Sequence, residues 1–156
     1  MHFEHLIQIN DPANPLIVSM SRAALWDGLM HRVENAVPFL PGLERCTITE
    51  RTDEYLLRDL DFGAAIIRDR VSFADLHRVR FDILPSPTHA GGSLTITIEE
   101  PTPEALFLRF TYQTSLAEDG NIEDKAYSEY VKSAYFQSDI ECVRIIRTLA
   151  AGGMAQ

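Results

Sequence analysis

The sequence predicts an α+β fold in which seven antiparallel strands form one curved sheet wrapped around a long C-terminal helix. Three observations carry this. Apolar residues alternate with polar ones at period two through most of residues 44–116. The hairpins of that region, phased against one another, agree on a single buried face. After Asn121 the period changes to 3.6, and an apolar stripe runs on to Gly152-Gly153.

Each element follows in order. Phe3 to Asn10 alternates and stops at Asp11-Pro12, as a strand does. Ser21 is a good N-cap, and Arg22 to Val33 places Leu25, Leu29, Met30 and Val33 on one face with Trp26 beside it, so a short amphipathic helix follows. Pro38 and Pro41-Gly42 then break the chain into an elbow. Strands are expected at 44–51, 55–62, 65–73, 77–84, 93–99 and 105–116. A two-residue turn at Gly63-Ala64 sets Leu60 opposite Ile67, Arg58 opposite Asp69 and Leu56 opposite Val71. Three-residue turns at Ala74-Asp75-Leu76 and Thr52-Asp53-Glu54 set Val71 opposite Val79 and Ile48 opposite Arg58. A loop through residues 100–104 faces Leu94, Ile96 and Ile98 with Phe110, Leu108 and Leu106. The last element, 122–151, is a helix capped by Asn121 with Asp124 at capping-box distance. Its buried stripe reads Tyr127, Val131, Ala134 with Tyr135, Ser138, Cys142, Ile145 with Ile146, and Leu149.

Composition bounds the function. The 156 residues, 46% hydrophobic and 24% charged, suit one domain spanning 1–156 with a substantial core. A formal charge of −9 opposes binding to a phosphate backbone or an anionic surface, so nucleic acid is not expected as a partner. No apolar run approaches membrane-spanning length and no secretory leader is evident, so a cytoplasmic protein is expected. Cys46 and Cys142 form no CxxC motif and are expected reduced. The composition is compatible with a homodimer and singles out no partner surface.

The candidate site comes from the interior phase of the strands, which is nearly all apolar and includes Phe81 and Phe110. Arg58, Asp69 and Tyr112 are its polar exceptions, with His5 and His77 nearer strand ends. Charge there must be compensated, and the turn sets Arg58 against Asp69. This pair is either a structural ion pair or an anchor in which Arg58 offers planar donors to a ligand oxygen while Asp69 holds it. Tyr112 can add a hydrogen bond. The C-terminal helix has bulky ends but small residues, Ala134 and Ser138, in the middle, which leaves room beneath it. The outward phase, Asp59, Asp61, Arg68, Arg70, Arg78, Arg80 and Asp82, alternates in sign as a solvated face does. The histidines, His2, His5, His31, His77 and His89, have no metal-ligand spacing, and no GxSxG, GxGxxG or Walker sequence is present, so neither a metal nor a cofactor is expected.

The order strand, helix, proline elbow, six-stranded meander and long helix resembles the START and birch-pollen-allergen type helix-grip domains of the SRPBCC superfamily. Leu25-Trp26-Asp27-Gly28-Leu29, Phe39-Leu40-Pro41-Gly42-Leu43, Arg58-Asp59-Leu60-Asp61-Phe62-Gly63 and Asp69-Arg70-Val71 look like its AtaL-like bacterial and fungal branch. The resemblance implies a cavity under the helix that binds a small hydrophobic molecule such as a lipid, sterol or polyketide. The first expectation is a binding or carrier domain. A second is a cyclase, aromatase or hydrolyase, with Arg58 stabilising oxyanion charge and Asp69, Tyr112 or His5 moving a proton. A third, a protein-interaction module like the helix-grip domain of chaperone activators, requires a large exposed apolar patch.

Overall fold

A computed structural model describes residues 1–87, 90–114 and 122–152, with side chains from residue 125 in the last stretch. The elements are β1 (His2–Gln8), α1 (Arg22–Glu34), β2 (Arg45–Arg51), β3 (Tyr55–Asp61), β4 (Ile66–Ala74), β5 (Arg78–Ile83), β6 (Gly92–Thr102), β7 (Ala105–Thr114) and α2 (Ile122–Ala151). All seven strands form one antiparallel sheet in the order β1-β7-β6-β5-β4-β3-β2. The expected α+β helix-grip architecture is the one observed. The expected cap at Asn121 and the strand end at 115–116 lie outside the described residues.

Local chemistry explains the boundaries. Ser21 caps α1 by accepting a 3.0 Å hydrogen bond from the Ala24 amide. Buried Asn10 donates to the Met20 carbonyl at 2.7 Å and accepts from the Met20 amide at 2.8 Å, which fastens the segment entering α1 to the end of β1. The β3–β4 turn is the expected tight one, with Gly63 at φ 86° and Asp61 accepting from the Gly63 amide at 2.8 Å. Its register pairs Arg58 with Asp69, as the sequence requires.

Two hairpins are displaced by two residues from the expected register. In β4–β5, Val71 pairs with Phe81 and Phe73 with Val79. The turn sits one residue later than expected, with the His77 amide bonding the Ala74 carbonyl at 2.9 Å and Leu76 at φ 63°. In β6–β7, Ile96 pairs with Phe110 and Ile98 with Leu108. There β6 continues through Pro101 to Thr102, after an irregularity beyond Glu99, and turns at Pro103-Glu104 with Glu104 at φ 68°. A two-residue shift preserves which face each side chain takes, so the predicted interior stays interior. Ile48 pairs with Arg58 as expected, but through a bulge beside Thr49 and a shorter turn.

The main core joins the concave face to α1 and α2 through Leu25, Trp26, Leu29, Val71, Val79, Ile96, Leu108, Phe110, Cys142 and Ile146. The two helices approach so closely that a Cβ on Gly28 would meet Ile146 Cγ2 at 2.5 Å. On the opposite face Arg68 pairs with Asp59 at 2.9 Å, Arg45 with Asp61 at 3.2 Å and Arg80 with Asp82 at 3.0 Å. These exposed pairs each contribute little. No helix of the described residues is long and apolar enough to cross a membrane.

Candidate functional site

A cavity of about 370 Å³ lies between the sheet and α2. Leu60 of β3, Phe81 and Ile83 of β5, Leu94 of β6, Val131 of α2 and the elbow residue Leu40 supply its apolar wall. Tyr112 of β7 and Tyr127 and Tyr135 of α2 add aromatic surface, and Ser93, Gln113, Thr114 and Ser138 add neutral polar groups. Gly91 and Gly92 form part of the lining where β6 begins. Gly92 sits at φ 149°, and a Cβ there would fall 2.9 Å from the Gln113 carbonyl oxygen, so this approach requires glycine.

The charged lining residues gather around Phe81. Arg58 Nε and Nη2 donate to the two oxygens of Asp69 at 2.9 and 2.6 Å, a bidentate pair. Arg58 Nη1 donates to the carbonyls of Arg32 at 2.9 Å and Val33 at 3.0 Å. Those carbonyls belong to the last turn of α1, where no intrahelical donor remains. Arg58 therefore ties a helix terminus to the sheet as well as neutralising Asp69, and four of a guanidinium's five N–H groups are engaged. Its side chain is only 2% exposed.

A second polar group adjoins the first. The Arg32 guanidinium also stands over the Phe81 ring, with its central carbon 5.2 Å from the centroid against 5.3 Å for Arg58. Arg32 Nη1 donates to Cys142 Sγ at 3.4 Å. Burial opposes its charge, but Cys142, Tyr112 and Asp139 together hold its pKa above the ordinary value. Tyr112 donates its hydroxyl to Asp139 Oδ1 at 2.5 Å. Burial raises Asp139 to about 7, against the pull of the Tyr112 hydrogen bond and the Arg32 charge, and Asp139 Oδ2 has no partner among the described residues. Burial and the Asp139 charge push the Tyr112 hydroxyl far up, and burial raises the Cys142 thiol, so both stay neutral at physiological pH. His5 packs against Phe136 and Tyr112 with ring centroids 5.0 and 6.0 Å away. Burial lowers its pKa, and Nε2 has no hydrogen-bond partner among the described residues. A carboxyl that titrates near neutrality therefore sits behind a tyrosine that faces the cavity.

The sequence-derived residues divide by placement. Arg58, Asp69, Tyr112, Phe81 and Ser138 line the cavity. Phe110 is fully buried in the core beneath it, and Ala134 lies on the exposed side of α2; neither forms part of the lining. The helix presents Tyr127, Val131, Tyr135 and Ser138 to the cavity. His77 is exposed in its turn. Arg32 and Asp139 are buried charged residues at the candidate site that sequence reasoning missed. Each had a signal: Arg32 continues the Leu25, Leu29 stripe of α1, and Asp139 falls between Tyr135, Cys142 and Ile146 on that of α2, so both are charged groups at core positions. Among the described residues no cluster of His, Cys, Asp or Glu has the arrangement of a metal site.

Against known proteins, residues 7–153 match the family model described as acetylaranotin biosynthesis cluster protein L, AtaL. The chain belongs to the AtaL family. No curated protein matches it. Among solved structures, this AtaL family member is similar to the Zhui aromatase/cyclase from Streptomyces sp. R1128, at 18% identity, 98% coverage of both chains and a TM-score of 0.68. It is also similar to the di-domain aromatase/cyclase StfQ of the steffimycin pathway, at 14% identity, 99% of this chain, 52% of that one and a TM-score of 0.67. Ara h 8.0201 shares the fold at 11% identity, 98% and 99% coverage and a TM-score of 0.61. At these identities the likeness establishes the AtaL member's fold and leaves its chemistry to its own residues.

Proposed function

We propose that this protein binds a small, mostly apolar molecule with one polar end in the cavity between the sheet and α2. The observation that carries this is the lining itself: apolar and aromatic side chains over most of the wall, with the charged groups confined to the neighbourhood of Phe81. Two fold neighbours described as aromatase/cyclases, and a family description taken from a biosynthesis cluster, support a polyketide-like or aromatic ligand. Binding or carriage is the first reading because Arg58 and Asp69 are mutually satisfied and Asp139 does not itself line the cavity.

The Tyr112–Asp139 hydrogen bond favours one second reading. A buried carboxyl raised to about 7 and joined to a cavity-facing hydroxyl is suited to proton transfer, as a cyclase or aromatase requires. Native mass spectrometry of freshly purified protein, with titration of the neutral apolar dye N-phenyl-1-naphthylamine, tests the binding reading. The expected result is a retained small molecule or saturable dye binding that Ser138→Phe, which fills the cavity, abolishes. A folded protein that carries nothing and does not bind the dye refutes it. Conversion, rather than return, of a retained molecule on incubation replaces carriage with catalysis.

A further inference from the structure

We propose that the polar end of the ligand is an anion and that Arg32, not Arg58, anchors it. This rests on the reading of the cavity as a small-molecule site. The contrast between the two guanidiniums on Phe81 leads to it. Arg58 has spent four N–H groups, two on Asp69 and two on the end of α1. Arg32 is 7% exposed, lines the cavity, and its side chain makes one hydrogen bond among the described residues, to a sulfur at 3.4 Å. No carboxylate of the described residues lies within 4.0 Å of it. A buried guanidinium is costly without oxygen acceptors; Asp139 favours the Arg32 charge from beyond salt-bridge distance, and the single hydrogen bond to a sulfur leaves most of the N–H donors without an acceptor among the described residues.

The charge balance of the lining agrees. Its ionic groups are Arg32, Arg58 and Asp69, one cation in excess once the bidentate pair is subtracted. The group that completes the balance is a carboxylate, or an acidic enolate or phenolate, at the end of an apolar body. Planar oxygen anions suit the unspent donors of Arg32, and the Ser138 hydroxyl lies on the same lining.

The site also links binding to a proton. Asp139 faces Arg32 from α1, Tyr112 from β7, and Cys142 and Tyr135 from its own helix, with His5 of β1 beyond Tyr112. An anion on Arg32 adds negative potential beside Asp139 and offsets the cation that favours its ionised form. Binding an anion near pH 7 should therefore take up a proton on Asp139, and anion affinity should fall between pH 6 and 8.

The test uses 2-naphthoate and its near-isostere 2-naphthamide, titrated calorimetrically into the whole protein in two buffers of different ionisation enthalpy. The expected result is that naphthoate binds at least tenfold tighter than naphthamide and takes up a fraction of a proton at pH 7, whereas naphthamide takes up none. Arg32→Gln should erase the preference, Arg32→Lys should keep part of it, and Arg80→Gln on the opposite face should leave it intact. Asp139→Asn should remove the proton uptake. Equal affinities in the wild type overturn the proposal whichever variants fold, and so does a preference that survives in folded Arg32→Gln. Naphthamide binding without a naphthoate preference refutes the anchor alone. Absence of binding by either compound at millimolar concentration refutes the cavity reading and the anchor with it.

Discussion

Replacing Arg58 by methionine separates its structural role from any ligand role. Methionine keeps an unbranched stem but has no donor. Asp69, 2% exposed, is left as a buried carboxylate without its bidentate partner, and breaking such a pair costs about 3–5 kcal/mol. The Arg32 and Val33 carbonyls lose their donor at the end of α1, at about 1 kcal/mol each. The expected loss is about 5 kcal/mol, a large share of the roughly 5–15 kcal/mol that holds a domain folded. Arg58→Met with Asp69→Leu removes the stranded charge but cannot restore the carbonyl bonds, so about 2 kcal/mol of the loss should remain. Urea unfolding followed through Trp26, the single tryptophan and a core residue, measures all four members of the cycle. A loss under about 1 kcal/mol for Arg58→Met refutes the assignment of Arg58 as a buried cross-link. Full recovery in the double variant refutes the claim that it supports the end of α1.

Three further outcomes follow from the same geometry. Phe110→Ala, at a fully buried ring outside the cavity lining, should cost about 3–5 kcal/mol, whereas Phe81→Ala, at a ring that already borders open space, should cost at least about 1 kcal/mol less by denaturant unfolding. Gly28→Ala should destabilise by about 1–3 kcal/mol, because its Cβ would overlap Ile146, a fully buried side chain with no room to retreat; an unchanged urea midpoint refutes the close helix contact. Asp139 is raised in the folded state from 3.8 to about 7, so between those values the folded protein holds a proton that the unfolded chain has lost. Its contribution to stability therefore falls as pH rises from about 4 to 7, by on the order of 4 kcal/mol at most. Asp139→Asn should flatten that part of the stability profile, and superimposable profiles refute the shifted carboxyl.

Much of the sheet was legible in the sequence because strand pairing conserves parity. The alternation of Leu56, Arg58 and Leu60 against Ile67, Asp69 and Val71 across a two-residue turn admits one register, and it is the one observed. The β4–β5 and β6–β7 registers were displaced by two because their turns depend on Leu76 and Glu104 adopting positive φ, which neither side chain signals. The displacement left every face unchanged, so the interior and its Arg58–Asp69 pair were still read correctly. The second polar group was not legible as a group. Arg32 and Cys142 are separated by 110 positions and Tyr112 and Asp139 by 27, and no local period relates residues on α1, β7 and α2. Periodicity reports which side of its own element a residue takes, and it placed a charge on the buried stripe of each helix. Only the packing of α1 and α2 on the sheet decided that Arg58 would spend its donors on the end of α1 while Arg32 kept most of its own. A hydrogen bond is assigned by distance between elements, and those distances exist only once the chain has folded.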